Sequence, residues 1–158
     1  MDEIDRSLLE LLQANAKASN AELAEAVGLT VSSVFERVKK LEHRGIITGY
    51  TAKVDPARVG KDLLAFVRLS FADTQGNVRD GLERLRDVCQ REPDILECHD
   101  VAGEDCIVLK IRSRGTSELQ RLLGELKDCV PVSRSVTSIV LETLKESSAI
   151  RPGPEAER

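Results

Sequence analysis

The chain has 158 residues, 41% hydrophobic and 32% charged, with 23 Lys and Arg against 27 Asp and Glu for a formal net charge of −4. That length and balance suit one ordinary core or two small ones and exclude a disordered or collagen-like chain. An acidic total removes any global basic footprint, so a nucleic-acid surface has to be local. With three Phe, one Tyr and no Trp, a stacking platform for single strands is disfavoured.

In chain order, Ile4, Leu8, Leu11 and Leu12 place one apolar stripe on a helix over 2–14, with Asp2, Glu3 and Asp5 at its positive end. Ser19-Asn20-Ala21-Glu22 reads as a capping box that opens a second, short helix ending near Val27, where Gly28 suits a left-handed turn. Thr30 is placed to cap a third helix over 31–43, closed by Gly45, with Val34, Val38 and Leu41 inward. IITGYTAK (46–53) reads as two short strands about Gly49. VDPARVGKD (54–62) carries Pro56 and Gly60 and reads as a linker.

Beyond the linker, strands are expected over 63–72, 95–102, 106–112 and within 130–144. Helices are expected over 78–91, with Leu82, Leu85 and Val88 inward, and over 116–127, with Leu119, Leu122, Leu123 and Leu126 inward. The order β-α-β-β-α-β is that of a ferredoxin-like sandwich. The fold class is therefore α+β: a helix-turn-helix domain (1–53), a linker (54–62), a ferredoxin-like domain (63–146) and a disordered tail (147–158), whose SSAIRPGPEAER offers little to bury.

Three helices with a tight turn between the second and third, and small Ala24 where those two approach, point to a helix-turn-helix. Its third helix presents its N-terminal part to the major groove. Thr30, Ser32, Ser33, Glu36, Arg37, Lys39, Lys40 and Arg44 form the candidate DNA-binding set. Ser32 and Ser33 are suited to base edges or phosphates, Arg37 to guanine O6/N7 or a phosphate, and Glu36 to cytosine N4. Lys39, Lys40 and Arg44 are placed for phosphates. From Glu36 to Lys53, five basic and two acidic residues give +3; so small a patch needs a second copy, so an oligomer is expected.

No two of Cys89, Cys98, Cys106 and Cys129 stand at zinc-knuckle spacing, so no metal is expected and packed, reduced thiols are. Cys98 and Cys106 are placed to face each other across a hairpin. No apolar run approaches the ~20 residues that span a bilayer. The acidic start MDEIDRSLLELL does not read as a signal peptide, which sets the expectation of a cytoplasmic protein with no membrane partner.

The segment NAELAEAVGLTVSSVFERVKKLEHRGIITGYTAKVDPARVG, with IDRSLLELL before it, resembles the DNA-binding half of the Lrp/AsnC (leucine-responsive, feast/famine) transcriptional regulators. FVRLSF, ILECHDVAGEDCIVLKI and TSIVLETLK resemble that family's amino-acid-responsive domain. The resemblance implies a winged helix-turn-helix over 1–53, with the strands of 46–53 as the wing, in a regulator that binds double-stranded DNA, pairs through its sheets into homodimers, and assembles further into tetramers or octamers. It also implies a small effector, an amino acid or a relative, held between dimers near the turn Val101–Cys106. Within that turn Gly103 lets backbone N–H groups approach a carboxylate, Glu104 or Asp105 suits an ammonium, and Ser133, Ser135 and Thr137 on the last strand are placed to complete the pocket. The chain departs from many members at Cys106, where they carry a second acid, and at Ile107, where they carry an aromatic.

Two other readings compete. A tetrapyrrole-decarboxylase-like enzyme on the same architecture would need cationic or imidazole groups to hold carboxylates. His99, Arg68, Arg112 and Arg134 qualify by type but form no motif. With no nucleophile elbow, P-loop, HExxH or dinucleotide fingerprint, no catalytic residue and no cofactor are expected. An architectural DNA-binding protein is the other alternative.

Overall fold

The computed structural model describes residues 1–71 and 78–153, without the side chains of residues 78 and 79. The chain divides into two compact units. One spans Met1–Lys53 together with the segment that starts at Lys145; the other spans Val54–Leu144.

The helical unit contains α1 (Glu3–Ala14), α2 (Asn20–Val27) and α3 (Val31–His43). Each helix starts on a side chain that accepts a backbone N–H left without a partner in the first turn. Asp2 accepts from Asp5 N, Ser19 from Glu22 N and Thr30 from Ser33 N; the first two are complete capping boxes. The box on α1 is one that its sequence, read only for dipole, did not single out. Gly28 adopts φ 68° between α2 and α3, and Gly45 φ 68° after α3, both left-handed conformations that favour glycine. Leu8, Leu12, Leu23, Ala24 and Val34 form the buried core, with Val38 and Ile47 packed against it.

The expected wing strands are not formed: among the described residues, 46–53 carries no strand. The N–H groups of Ile46 and Ile47 both donate to Leu41 O, at 2.9 and 3.3 Å, and Ile47 packs into the core. Holding Ile46 and Ile47 against the end of α3 leaves too little chain for a two-stranded hairpin, which is marginal without a third strand. At the other end of the unit, Gln13 Nε2 donates to Ile150 O at 2.8 Å and Ile150 N donates to Gln13 Oε1 at 2.7 Å. This paired contact ties part of the expected disordered tail to α1; the rest of that expectation, from residue 154, lies outside the described residues.

The sheet unit orders β1 (Leu63–Phe71), α4 (Val78–Arg91), β2 (Ile95–Asp100), β3 (Ile107–Ser113), α5 (Thr116–Cys129) and β4 (Val132–Ile139). The four strands are antiparallel in the order β2-β3-β1-β4, the arrangement expected from β-α-β-β-α-β. The expected extension of the first strand to residue 72 lies outside the described residues. Alternation along β1 and β3 buries Ala65, Val67, Leu69, Ile107, Leu109 and Ile111 beneath Leu85, Val88, Leu119, Leu122 and Leu126 of α4 and α5. Arg84 on α4 donates through Nε and Nη2 to Cys129 O, at 3.2 and 3.0 Å. The expected linker also contributes to this unit: Lys61 Nζ bridges Asp94 at 2.5 Å and Glu118 at 3.2 Å.

Candidate functional site

The outer surface of α3 follows from its core stripe. With Val34 and Leu41 buried, a 3.6-residue period turns Ser32, Ser33, Glu36, Lys39 and Lys40 to the opposite side, and all five are exposed, as is Arg44. Thr30 is occupied as the cap: its Oγ1 accepts Ser33 N at 3.2 Å and lies 2.8 Å from the Ser33 hydroxyl and 3.1 Å from that of Ser32. These hydroxyls sit at the positive end of the α3 dipole, where an anion is favoured. Lys39 Nζ stands 5.7 Å from the centroid of the Phe35 ring, itself 49% exposed, so a cation–π contact helps hold the ammonium.

Arg37, expected to meet a guanine or a phosphate, is engaged within the helical unit. Its Nη1 lies 2.7 Å from Asp2 Oδ2 and 2.6 Å from Asp5 Oδ1, joining α3 to the start of α1. The Asp5 N–H and the Arg37 guanidinium together hold the Asp2 carboxyl below its ordinary range, and the two carboxylates push the Arg37 guanidinium further up. Arg37 therefore braces two helices. A helical projection puts it on the flank between core and exterior, but the partner on α1 depends on how the helices cross. On the other flank the Tyr50 hydroxyl donates to Glu42 at 2.8 Å. Burial, then the Glu42 carboxylate, raises that phenol to about 12.

The second candidate region divides across the sheet. Directly paired residues of antiparallel strands share a face. Leu69 pairs with Ser135 and Val67 with Thr137, so Ser135 and Thr137 stand on the face covered by helices. Arg68 pairs with Val136 and Ser70 with Arg134 on the outer face. The turn belongs with the outer face. Arg68 Nη1 lies 3.7 Å from Asp105 Oδ2, and Ser70 Oγ donates to Asp105 Oδ1 and Glu104 O, both at 3.3 Å. Ser133, beside a bulge, donates to Ser70 O at 3.0 Å.

Asp105 thus fixes the turn, while Gly103, at φ 154°, and Glu104 remain exposed at its tip. Cys106 donates its N–H to Leu69 O and packs on the core. The structure brings Gly103, Glu104 and Asp105 together and leaves Ser135 and Thr137 apart from them. Arg68 and Ser70 are the residues that sequence reasoning missed for this turn. Their period-two alternation in FVRLSF gives the face, but not the register that meets Asp105.

Of the enzyme candidates, Arg68 engages Asp105, and His99 Nε2 lies 3.3 Å from Glu97. Among the described residues, no group of three or more His, Cys, Asp or Glu is arranged to hold a metal ion, and no helix is long and apolar enough to cross a membrane.

Comparison with known proteins adds an independent line. Residues 1–42 match the AsnC-type helix-turn-helix domain, and residues 64–150 match the Lrp/AsnC ligand binding domain. The leucine-responsive regulatory proteins of Escherichia coli (strain K12) and Klebsiella pneumoniae are each 36% identical over 151 residues, 95% of this chain and 90% of theirs. Among solved structures, the feast or famine regulatory protein from M. tuberculosis complexed with L-methionine is 36% identical with a TM-score of 0.82, over 96% of this chain and 99% of its own. A transcriptional regulator from Neisseria meningitidis in complex with L-Met is 28% identical with a TM-score of 0.81, over 95% and 96%.

Proposed function

The chain belongs to the Lrp/AsnC family of DNA-binding transcriptional regulators, and from that premise we propose how its own residues carry out regulation. The outer face of α3 enters the major groove. Ser32, Ser33 and Glu36 meet base edges, while Lys39, Lys40 and Arg44 meet phosphates. The exposed cations on the side of α3 opposite its buried stripe carry this reading. Arg37 keeps α3 at a fixed angle to α1 rather than reading a base.

Two copies pair through the outer face of the sheet, where Phe66 is 39% and the Arg68 side chain 45% exposed in the single chain. Pairing doubles the phosphate contacts of an otherwise acidic protein. The effector is an amino acid whose ammonium meets Glu104 and whose carboxylate meets the backbone about Gly103, with Asp105 held by Arg68 and Ser70 to shape the turn. The two relatives solved with L-methionine support this ligand class. Effector binding shifts the population among assemblies, and so which DNA half-sites are engaged together. The relatives are regulators, which favours this over the decarboxylase-like reading.

Duplex binding measured against salt tests the interface. Lys39→Ala and Lys40→Ala are expected to weaken every duplex and lower the log–log salt slope by about 1 for each lost phosphate contact. Unchanged affinity and slope in the Lys39→Glu/Lys40→Glu variant would overturn it. A thermal-shift screen of amino acids tests the turn: stabilisation by a hit is expected to vanish in Glu104→Ala, and light scattering is expected to show Phe66→Glu as a monomer.

A further inference from the structure

The four cysteines are not equivalent. Cys129 is buried on α5, its thiol donating to Glu125 O at 3.1 Å, and Cys106 begins the return from the β2–β3 turn with its backbone bonded to Leu69. Cys89 on α4 and Cys98 on β2 are half-buried, as Cys106 is, but only these two line one open groove, with Leu82, Arg86, Glu97 and Asp100. Cys98 pairs with buried Leu109 and so faces the side of the sheet that α4 covers, and both thiols pack against the same core. The cysteine that shares a groove with Cys98 is therefore Cys89, not Cys106 as the hairpin spacing alone suggests: β2 pairs Cys98 with Leu109, well past the turn. Because β2 is an edge strand, the groove opens to solvent beside it.

The neighbouring Cys89 thiol lowers the Cys98 thiol to about 7, with His99 assisting and burial and Asp100 opposing. Cys98 and burial push Cys89 up. The thiolate is the reactive form of a cysteine, so Cys98 has the character of an attacking sulfur and Cys89 that of the resolving one beside it.

We propose that Cys89 and Cys98 are a reversible disulfide-forming pair, a site at which a peroxide-class oxidant ties α4 to the edge strand β2. The Cys98 thiolate attacks one peroxide oxygen; the O–O bond breaks, hydroxide leaves, and Cys98 becomes a sulfenic acid. The Cys89 sulfur then attacks the sulfenic sulfur. The S–S bond forms as the S–O bond breaks, and the Cys89 proton leaves with the hydroxyl as water. The proton first lost by Cys98 converts the earlier hydroxide into a second water. Two thiols are thereby oxidised by two electrons and one peroxide is reduced to two waters. The site is independent of how the chain engages DNA or an effector.

The test uses the reduced full chain with hydrogen peroxide, free-thiol counting and peptide mapping after trypsin and a glutamyl endopeptidase, which separates Cys98 from Cys106. The expected result is loss of two thiols per chain and a Cys89–Cys98 linked peptide, both reversed by dithiothreitol. In Cys89→Ser, Cys98 is expected to accumulate as a sulfenic acid trapped by dimedone, several-fold above the unsubstituted chain. A link from Cys98 to Cys106 or to a second chain, or no linked peptide at all, would overturn the assignment. So would equal trapping in Cys89→Ser and the unsubstituted chain. Mapping of the unsubstituted chain decides the pairing without reliance on any variant.

Discussion

Among the described residues, the core cluster of the helical unit has five buried side chains, Leu8, Leu12, Leu23, Ala24 and Val34, whereas that of the sheet unit has fourteen, about Leu109, Ile111 and Leu122. The first compensates at its edges: a side-chain cap starts every helix, glycines turn the chain after α2 and α3, and Arg37 clamps two carboxylates. The second relies on apolar packing between a four-stranded sheet and two helices. A small helical module can be held by polar contacts at its ends while the rest of its polar surface stays exposed. A sheet with one apolar face leaves its turns and outer face exposed.

The largest expected effect tests the sheet side of this contrast. Leu122→Ala, at a fully buried position, is expected to cost the sheet unit about 2–5 kcal/mol in denaturant unfolding followed by circular dichroism. Tyr50, the one tyrosine and part of the helical unit, reports the other unit by fluorescence. Equal displacement of both transitions would break the division.

Gly81→Ala comes next. An added Cβ would lie 2.7 Å from Val130 Cγ1 and 3.1 Å from Cys129 O, and overpacking of that kind costs about 1–3 kcal/mol, again on the sheet transition. Tolerance without loss would show that α4 and α5 have room that the close approach denies.

On the helical side, Thr30→Ala removes the α3 cap and is expected to cost about 0.5–2 kcal/mol, read through Tyr50. Arg37→Ala is expected to cost about 1 kcal/mol or less, because the pair is partly solvated. Its pH dependence sharpens the assignment. The Asp2 carboxyl is lowered below its ordinary 3.8, so its contribution is present above that value and lost as pH falls through the lowered one. The advantage of the unsubstituted chain over Arg37→Ala should therefore hold at neutral pH and close in acid. An advantage that persists in strong acid, with the carboxylates protonated, would assign the effect to packing of the Arg37 stem instead.

Much of this molecule is local in origin. Ser19 and Glu22 cap α2 by a contact of three residues, Thr30 caps α3 the same way, and the apolar periods of α1, α3, α4 and α5 set their buried faces. The residue order therefore determined the helix-turn-helix, the β-α-β-β-α-β succession and the exposed face of α3. Short-range hydrogen bonds and side-chain periodicity depend on chain neighbours alone.

Only the tertiary structure decided that Arg37 meets Asp2 and Asp5, that Asp105 meets Arg68 and Ser70 while Ser135 and Thr137 lie across the sheet, and that Cys98 finds Cys89. It also decided that Ile46 and Ile47 close onto Leu41 instead of starting a wing. Each of these rests on helix crossing, strand register or loop closure, in which one residue of slip exchanges a face or a partner, and no pattern along the chain records it.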